Sequence, residues 1–402
     1  MINVARLSVF LFFALCNSLQ SIGQIHIDAD FPGGNGVVDS IIGDTVYFHP
    51  DLTGTEGDWF YWNFRAISDQ PQTWHFKSTK PNVMTALGAA FSEDGGYHWQ
   101  WIDQQHNLGQ DVFAFTFSGF DQAIRFSFAQ PYTQKNFERF ITSYQDDERL
   151  HLSSLCQSNQ GRNVEQLVIS NFRSEASSKI LIIGRAHACE MMTNYVIEGI
   201  IEALLSGTPA MASLLEKAEV MIIPFLDKDG VENGNQGKNR IPRDHNRDYS
   251  GESIYATTRK IRSFIPKWTG DLPWIGIDLH NPWIKGTNNE WAYLVGNANP
   301  EIEEQQRRFA QILAESRRGS LIFDTKHGLL AFGEAWNKGS NYEKGKPFTA
   351  WAGQFFGKGL RLTTTLEFPY AINHDQVVTA DNARSFGQDL IHAAAIYLAV
   401  IE

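Results

Sequence analysis

Apolar residues follow two different rhythms along the chain, and the change comes near residue 150. From Gln24 to about Glu148 they form short alternating runs heavy in aromatic rings, among them Trp59-Phe60-Tyr61-Trp62-Asn63-Phe64, Trp74-His75-Phe76, Phe113-Ala114-Phe115-Thr116-Phe117 and Ile124-Arg125-Phe126-Ser127-Phe128. Turn residues such as Pro32-Gly33-Gly34-Asn35-Gly36 and Glu93-Asp94-Gly95-Gly96 separate the runs. A period of two, punctuated this often, predicts an all-β sandwich over residues 24–149, with the rings as its core rather than a sugar-stacking surface. Over residues 150–402 the pattern predicts strands alternating with helices. Apolar runs at Leu167-Val168-Ile169, Ile180 to Ile183, Val220 to Ile223, Trp274 to His280, Trp291 to Val295 and Arg361 to Phe368 read as strands. Segments with helical spacing, Met191 to Leu205, Tyr255 to Phe264, Glu301 to Ser316 and Asn382 to about Val400, lie between and after them. Such alternation predicts an α/β fold, a mixed sheet with helices on both faces, whose reactive groups lie beyond the strand C-terminal ends.

One of those ends carries chemistry. Ile180 to Ile183 is apolar on both faces, Gly184 closes it, and Arg185-Ala186-His187-Ala188-Cys189-Glu190 leads into helical spacing. His187 is thus expected at a strand tip and Glu190 in the first helical turn, where residues three apart share a side and can reach one Zn²⁺ at about 2.0 to 2.2 Å. The strand ending Ile277-Asp278-Leu279-His280 places a second imidazole at a tip. Two His and one Glu leave a fourth position for water, the pattern of catalytic rather than structural zinc, and Asp278 can support a histidine from behind. Near the C-terminus, Leu362-Thr363-Thr364-Thr365-Leu366-Glu367-Phe368 puts one carboxylate at the end of an otherwise neutral strand. Burial there is costly unless Glu367 faces a cavity, which suits a general base toward zinc-activated water and a proton donor to the leaving amine.

Composition adjusts this picture at the margins. The 402 residues suffice for one large or two ordinary domains, and a formal net charge of −11 argues against nucleic acid or an anionic membrane as the main partner. The opening run Leu7-Ser8-Val9-Phe10-Leu11-Phe12-Phe13-Ala14-Leu15 reads as the core of a signal peptide spanning residues 1–23. It is too short for a membrane span, and it implies a secreted or periplasmic protein. Of the cysteines, Cys156 and Cys189 lie beyond it, and Cys189, between two proposed ligands, is expected as a free buried thiol. The polar stretch from Asp227 to Tyr249 reads as a long loop whose arginines suit capture of a carboxylate.

Together these motifs resemble the zinc metallocarboxypeptidases, in particular the branch typified by cytosolic carboxypeptidases, in which a β-sandwich precedes the catalytic domain. Arg185-Ala186-His187-Ala188-Cys189-Glu190 is similar to that branch's Arg-x-His-Pro-Gly-Glu, with Ala188 and Cys189 departing from the usual Pro and Gly. Asp229-Gly230-Val231 followed by Asn246-Arg247, and Glu367, fall where the branch has matching residues, as do Gly33-Gly34-Asn35, Trp59-Phe60, Asp94-Gly95-Gly96 and Pro131-Tyr132 in front. The resemblance implies one Zn²⁺ per chain, peptide or protein C-termini as substrate, and Asn246 and Arg247 as holders of the substrate carboxylate. It also implies an oxyanion-stabilising arginine. Gly237 stands at the expected place, so Arg240 is the choice, with Arg243 or Lys238 as substitutes. Tyr342 is the candidate for a tyrosine that closes over the substrate, although Trp351 lies nearer the expected position. The expected activity is removal of C-terminal residues by water activated at zinc. Two alternatives stay open, an amidohydrolase deacylating small N-acyl amino acids and a catalytically silent protein that binds peptide or glycan.

Overall fold

A computed structural model describes residues 23–401, so the predicted signal peptide lies, except for Gly23, outside the described residues. Up to Ser127 the chain forms two five-stranded sheets packed face to face. Inward rings from both make the core. Phe64 of the Asn63–Ser68 strand lies 5.8 Å from Phe76 of the Gln72–Ser78 strand in the opposite sheet, and Phe113 lies 5.2 Å from Phe126. These rings are essentially fully buried, so the aromatic stripe is core, as its alternation predicted.

After a helix, Gln134–Ile141, the strand Leu150–Gln157 opens an eight-stranded mixed sheet. Four parallel strands form its centre, in the order Ala218–Ile223, Ser178–Gly184, Trp274–His280 and Leu360–Glu367. Residues of one strand alternate between its two faces, and the hydrophobic core divides accordingly. Ile180 and Ile182 pack with Ile200 and Ile201 of the Met192–Leu205 helix and Leu390 of the Ala380–Ile401 helix, while Leu181 and Ile183 pack with Ile261 and Ile265 of the Ala256–Thr269 helix. Helices therefore cover both faces. The Met192–Leu205 and Ala380–Ile401 helices touch backbone to backbone. A Cβ at Gly199 would sit 1.9 Å from the Arg384 carbonyl oxygen, and one at Gly387 2.0 Å from that of Val196.

The Met192–Leu205 helix ends where the spacing placed its end, and Pro209 opens a further helix, Pro209–Lys217, because proline at the first helical position gives up an N–H that the helix does not use. One local expectation needs correction. The stretch after Asp227 is not wholly loop. It contains a short helix, Lys228–Glu232, capped by the Asp227 carboxylate on Gly230 N–H, and a 3₁₀ turn, His245–Arg247. No helix among the described residues is long and apolar enough to cross a membrane.

Candidate metal centre and cavity

The register of the central strands decides where the site lies. Gly184 stands opposite Leu279, and His280 stands opposite Glu367, so three strands end at one rim. The helix expected to carry Glu190 starts later than the spacing predicted, at Met192. His187 and Glu190 are instead brought together by a turn in which Glu190 N–H donates to the His187 carbonyl and Thr193 Oγ1 donates to the Glu190 carbonyl. Arg185 braces that turn. Its backbone is in the left-handed region, at φ +59°, and its buried guanidinium donates to the carbonyls of Ala188 and Tyr132 and to Asn194 Oδ1. A buried arginine with every side occupied by acceptors is a scaffold, which the motif did not reveal.

The ligand atoms of His187, Glu190 and His280 lie within 4.8 Å of one another, and all three residues are buried. Glu190 Oε1 is 2.8 Å from His187 Nδ1, and Glu190 Oε2 is 2.9 Å from His280 Nδ1. Oε2 nevertheless has no hydrogen-bond partner, because the contact is close but not aligned as a hydrogen bond. Two imidazole nitrogens and a carboxylate converging this way, with a buried oxygen left over, fit a divalent cation of zinc's ligand preference. Each imidazole has a carboxylate behind it. His280 Nε2 lies 3.2 Å from Asp278 Oδ2, and His187 Nε2 lies 3.7 Å from Asp244 Oδ1. The sequence had suggested Asp278 but not Asp244, whose place follows from the fold of the 227–249 stretch and from no local signal.

Charge is dense here. Burial alone would raise the Glu190 carboxyl, but the two imidazoles and Lys238 hold it well below the usual carboxylate range. Burial likewise opposes charge on His187, yet Glu190 and Asp244 outweigh it and raise its pKa. Asp244 would be raised by burial but is drawn down to about 2, chiefly by His187. Glu367 differs from these acids. It is raised by burial against the pull of His280 and Lys238, and its Oε2 has no partner.

A cavity of about 820 Å³ opens over these groups, lined by His187, His280, Glu367, Asn246, Arg247 and Tyr342 among others. Arg247 donates to Asn341 Oδ1 at 3.2 Å and lies 5.6 Å over the Tyr342 ring, whose hydroxyl donates to Asn337 Oδ1. Trp351, on the Phe348–Ala352 helix, packs in the core and is not among the cavity-lining residues, which leaves Tyr342, of the two candidates, at the cavity. Arg240 and Arg243 are corrections. Arg240 is paired with Asp227 and Arg243 with Asp248, both fully buried partners, and neither arginine lines the cavity. Of the three cations considered for the oxyanion, the one that does is Lys238. Its side chain is 12% exposed, with Nζ 2.7 Å from Glu190 Oε1 and 3.0 Å from the Asn281 carbonyl oxygen. Position 237 could not hold an arginine in this backbone, since a Cβ there would stand 2.2 Å from Ala188 N at a φ of +79°. Trp59 of the sandwich and Trp283 complete one wall, their rings 5.2 Å apart. Cys156 and Cys189 are both free thiols.

Residues 138–326 match the zinc carboxypeptidase family. Human cytosolic carboxypeptidase 6 is 28% identical over 328 residues, covering 73% of this chain and 64% of that protein. The mouse protein of the same name is 28% identical over 235 residues, covering 55% and 42%. The chain thus spans less than two thirds of these relatives' length. Among solved structures, a metallo-carboxypeptidase from Burkholderia cenocepacia superposes with a TM-score of 0.77 at 16% identity, covering 94% of this chain and 100% of that one. One from Pseudomonas aeruginosa, in complex with (2-guanidinoethylmercapto)succinic acid, gives 0.76 at 20% identity with the same coverage. At such identities the superpositions speak for the fold, the sandwich included. The chain thus carries a segment, residues 138–326, that matches the zinc carboxypeptidase family, within a fold shared with solved metallo-carboxypeptidases.

Proposed function

We propose that the protein is a zinc carboxypeptidase, hydrolysing the last peptide bond of peptides or proteins, with one Zn²⁺ per chain held by His187, Glu190 and His280. The observation that carries this reading is one cavity lined by two of the three ligands, a buried carboxylate of raised pKa, and an asparagine and arginine able to take a carboxylate. Bound zinc would supply Lewis acidity that polarises the scissile carbonyl and acidifies water. The residues divide the remaining work. Arg247 and Asn246 anchor the substrate's terminal carboxylate, the arginine through a charge-assisted bond that fixes the chain end. Glu367 takes the proton of the attacking water and passes it to the amine as the C–N bond breaks; burial raises its pKa and so makes it a better proton acceptor than an exposed carboxylate. Lys238 offsets the negative charge that develops on the carbonyl oxygen, in place of the arginine that the loop geometry denies at position 237. Asp244 and Asp278 orient the two imidazoles.

Export through the N-terminal apolar segment belongs to the same proposal and sets the substrates as extracellular or periplasmic peptides. Metal analysis of purified protein, with a panel of blocked dipeptides and N-acyl amino acids, tests the reading. Stoichiometric zinc and release of C-terminal amino acids are expected. Deacylation of N-acyl amino acids without peptide cleavage would turn the assignment to an amidohydrolase, and stoichiometric zinc without any hydrolysis would turn it to a binding protein.

A further inference from the structure

The loop that carries Lys238 is held from two sides. Toward the sheet, the Gln236 carbonyl accepts Cys189 N–H at 3.0 Å, and Gly237 lies flush on the ligand turn. Toward the sandwich, the Gln236 side chain pairs with Tyr61 in both directions. Its Oε1 accepts Tyr61 N–H at 2.7 Å, and its Nε2 donates to the Tyr61 carbonyl at 2.8 Å and to that of Asp51 at 3.3 Å. Gln236 is 1% exposed. Neighbouring bonds repeat the pattern. Asn35 Nδ2 donates to the Gly234 carbonyl at 2.7 Å, Glu56 N–H to that of Asn239 at 3.1 Å, and Ile241 N–H to that of Gly54 at 3.0 Å. The sandwich also supplies Trp59, over whose ring the Lys238 ammonium lies at 5.6 Å.

A lysine is a flexible four-carbon stem, and an ammonium useful at one oxygen needs its backbone fixed within a fraction of an ångström. Within the sheet region, the direct restraints on the Lys238 side chain are Glu190 and the Asn281 carbonyl. The backbone before and after it is tied to the sandwich. We propose that Gln236 is a positioning residue, through which the amino-terminal sandwich sets Lys238 over the reacting centre and so forms a working part of the active site. The proposal rests on the role given to Lys238 above.

A double-mutant cycle on the full-length, zinc-loaded protein separates positioning from stability. In Gln236→Ala, kcat falls about 10- to 100-fold, the scale of a misplacement near 1 Å, while KM and zinc stoichiometry hold. Lys238→Met loses more, and the double variant loses no more than Lys238→Met alone, because residues acting as a unit are not additive. In metal-free protein, amide exchange at Lys238 and Asn239 quickens in Gln236→Ala. Should Gln236→Ala fail to fold, Gln236→Met, of similar length but without the amide, takes its place in the cycle. Losses that multiply in the double variant, or a Gln236 variant with lowered Tm but wild-type kcat, overturn the positioning role alone. Wild-type kcat in Lys238→Met overturns the reading of Lys238 and this inference with it.

Discussion

The sandwich and the rim of the mixed sheet bury different kinds of side chain, to opposite ends. In the sandwich, the buried rings of Phe64, Phe76, Phe113 and Phe126 contact one another at 4.8 to 6.0 Å, and such pairs add about 0.5 to 1.5 kcal/mol each beyond the area they bury. Among its few unpaired buried atoms, those of Asp28 and Gln72 sit on side chains whose other atom is bonded, to Arg65 and to Gly23. At the rim, Glu190, Asp244, Asn246, Asp278, His280 and Glu367 all leave buried polar atoms without hydrogen bonds, and most of them carry charge. Unsatisfied buried polar atoms cost about 1 to 3 kcal/mol each, so their concentration at one strand end marks the place where stability is given up, and it is where the proposed metal would sit. One fold thus holds a region packed for burial beside one that leaves buried polar atoms unpaired.

The contrast predicts that rim substitutions remove activity without removing the fold, whereas sandwich substitutions do the reverse. The largest effect is expected from His187→Ala, which should abolish zinc binding and with it nearly all turnover; stoichiometric zinc in the purified variant would break the assignment. Glu367→Gln comes next. It should retain zinc yet lose about 10³-fold in kcat, since one group serves as both base and acid. Its metal-free form should melt no lower than the parent, because a buried charge of raised pKa is replaced by a neutral amide. A parallel loss of Tm would show that Glu367 is structural. In the sandwich, Phe126→Ala should cost about 3 to 5 kcal/mol by denaturant unfolding while the folded fraction keeps its kcat. An altered kcat there would mean that the two regions are coupled more widely than through Gln236.

The smallest effect concerns the turn Asp94–His98. Partial burial opposes charge on Asp94, but bonds from His98, Ser92 and Tyr97 N–H outweigh it and hold the carboxyl well below its ordinary range. A group depressed in the folded state stabilises it above the unfolded pKa of about 3.9 and ceases to as pH falls toward the folded value. Amide exchange of Tyr97 and His98 should therefore quicken, relative to neighbouring strands, as pH drops below about 4, and Asp94→Asn should remove that dependence. Protection that is independent of pH in the parent would show that the carboxylate does not hold the turn.

Much of this was legible in one dimension. Period-two aromatics specified a sandwich because alternate residues of a strand face opposite ways, and Ile180 to Ile183 specified a central strand because only a position covered on both faces tolerates unbroken hydrocarbon. His187, Glu190, His280 and Glu367 were visible because a charged or imidazole side chain after an apolar run has no solvent to reach except at a sheet's end. The loop between Asp227 and Tyr249 was not legible. Its arginines are chemically alike in sequence, and what separates Arg240 and Arg243 from the cavity is burial of their partners, Asp227 and Asp248, which only folding creates.

The chain alone thus determined the two architectures and the candidate ligands of a metal, since these follow from periodicity and from residue types at strand ends. The tertiary structure decided which cation of the 227–249 stretch lies beside Glu190, that Asp244 backs His187, and that the sandwich touches the cavity at all. Those outcomes depend on close backbone approaches, Gly237 against Ala188 and Gln236 against Tyr61, between segments up to 175 residues apart. No local pattern encodes such a distance; it exists once the sheets have packed.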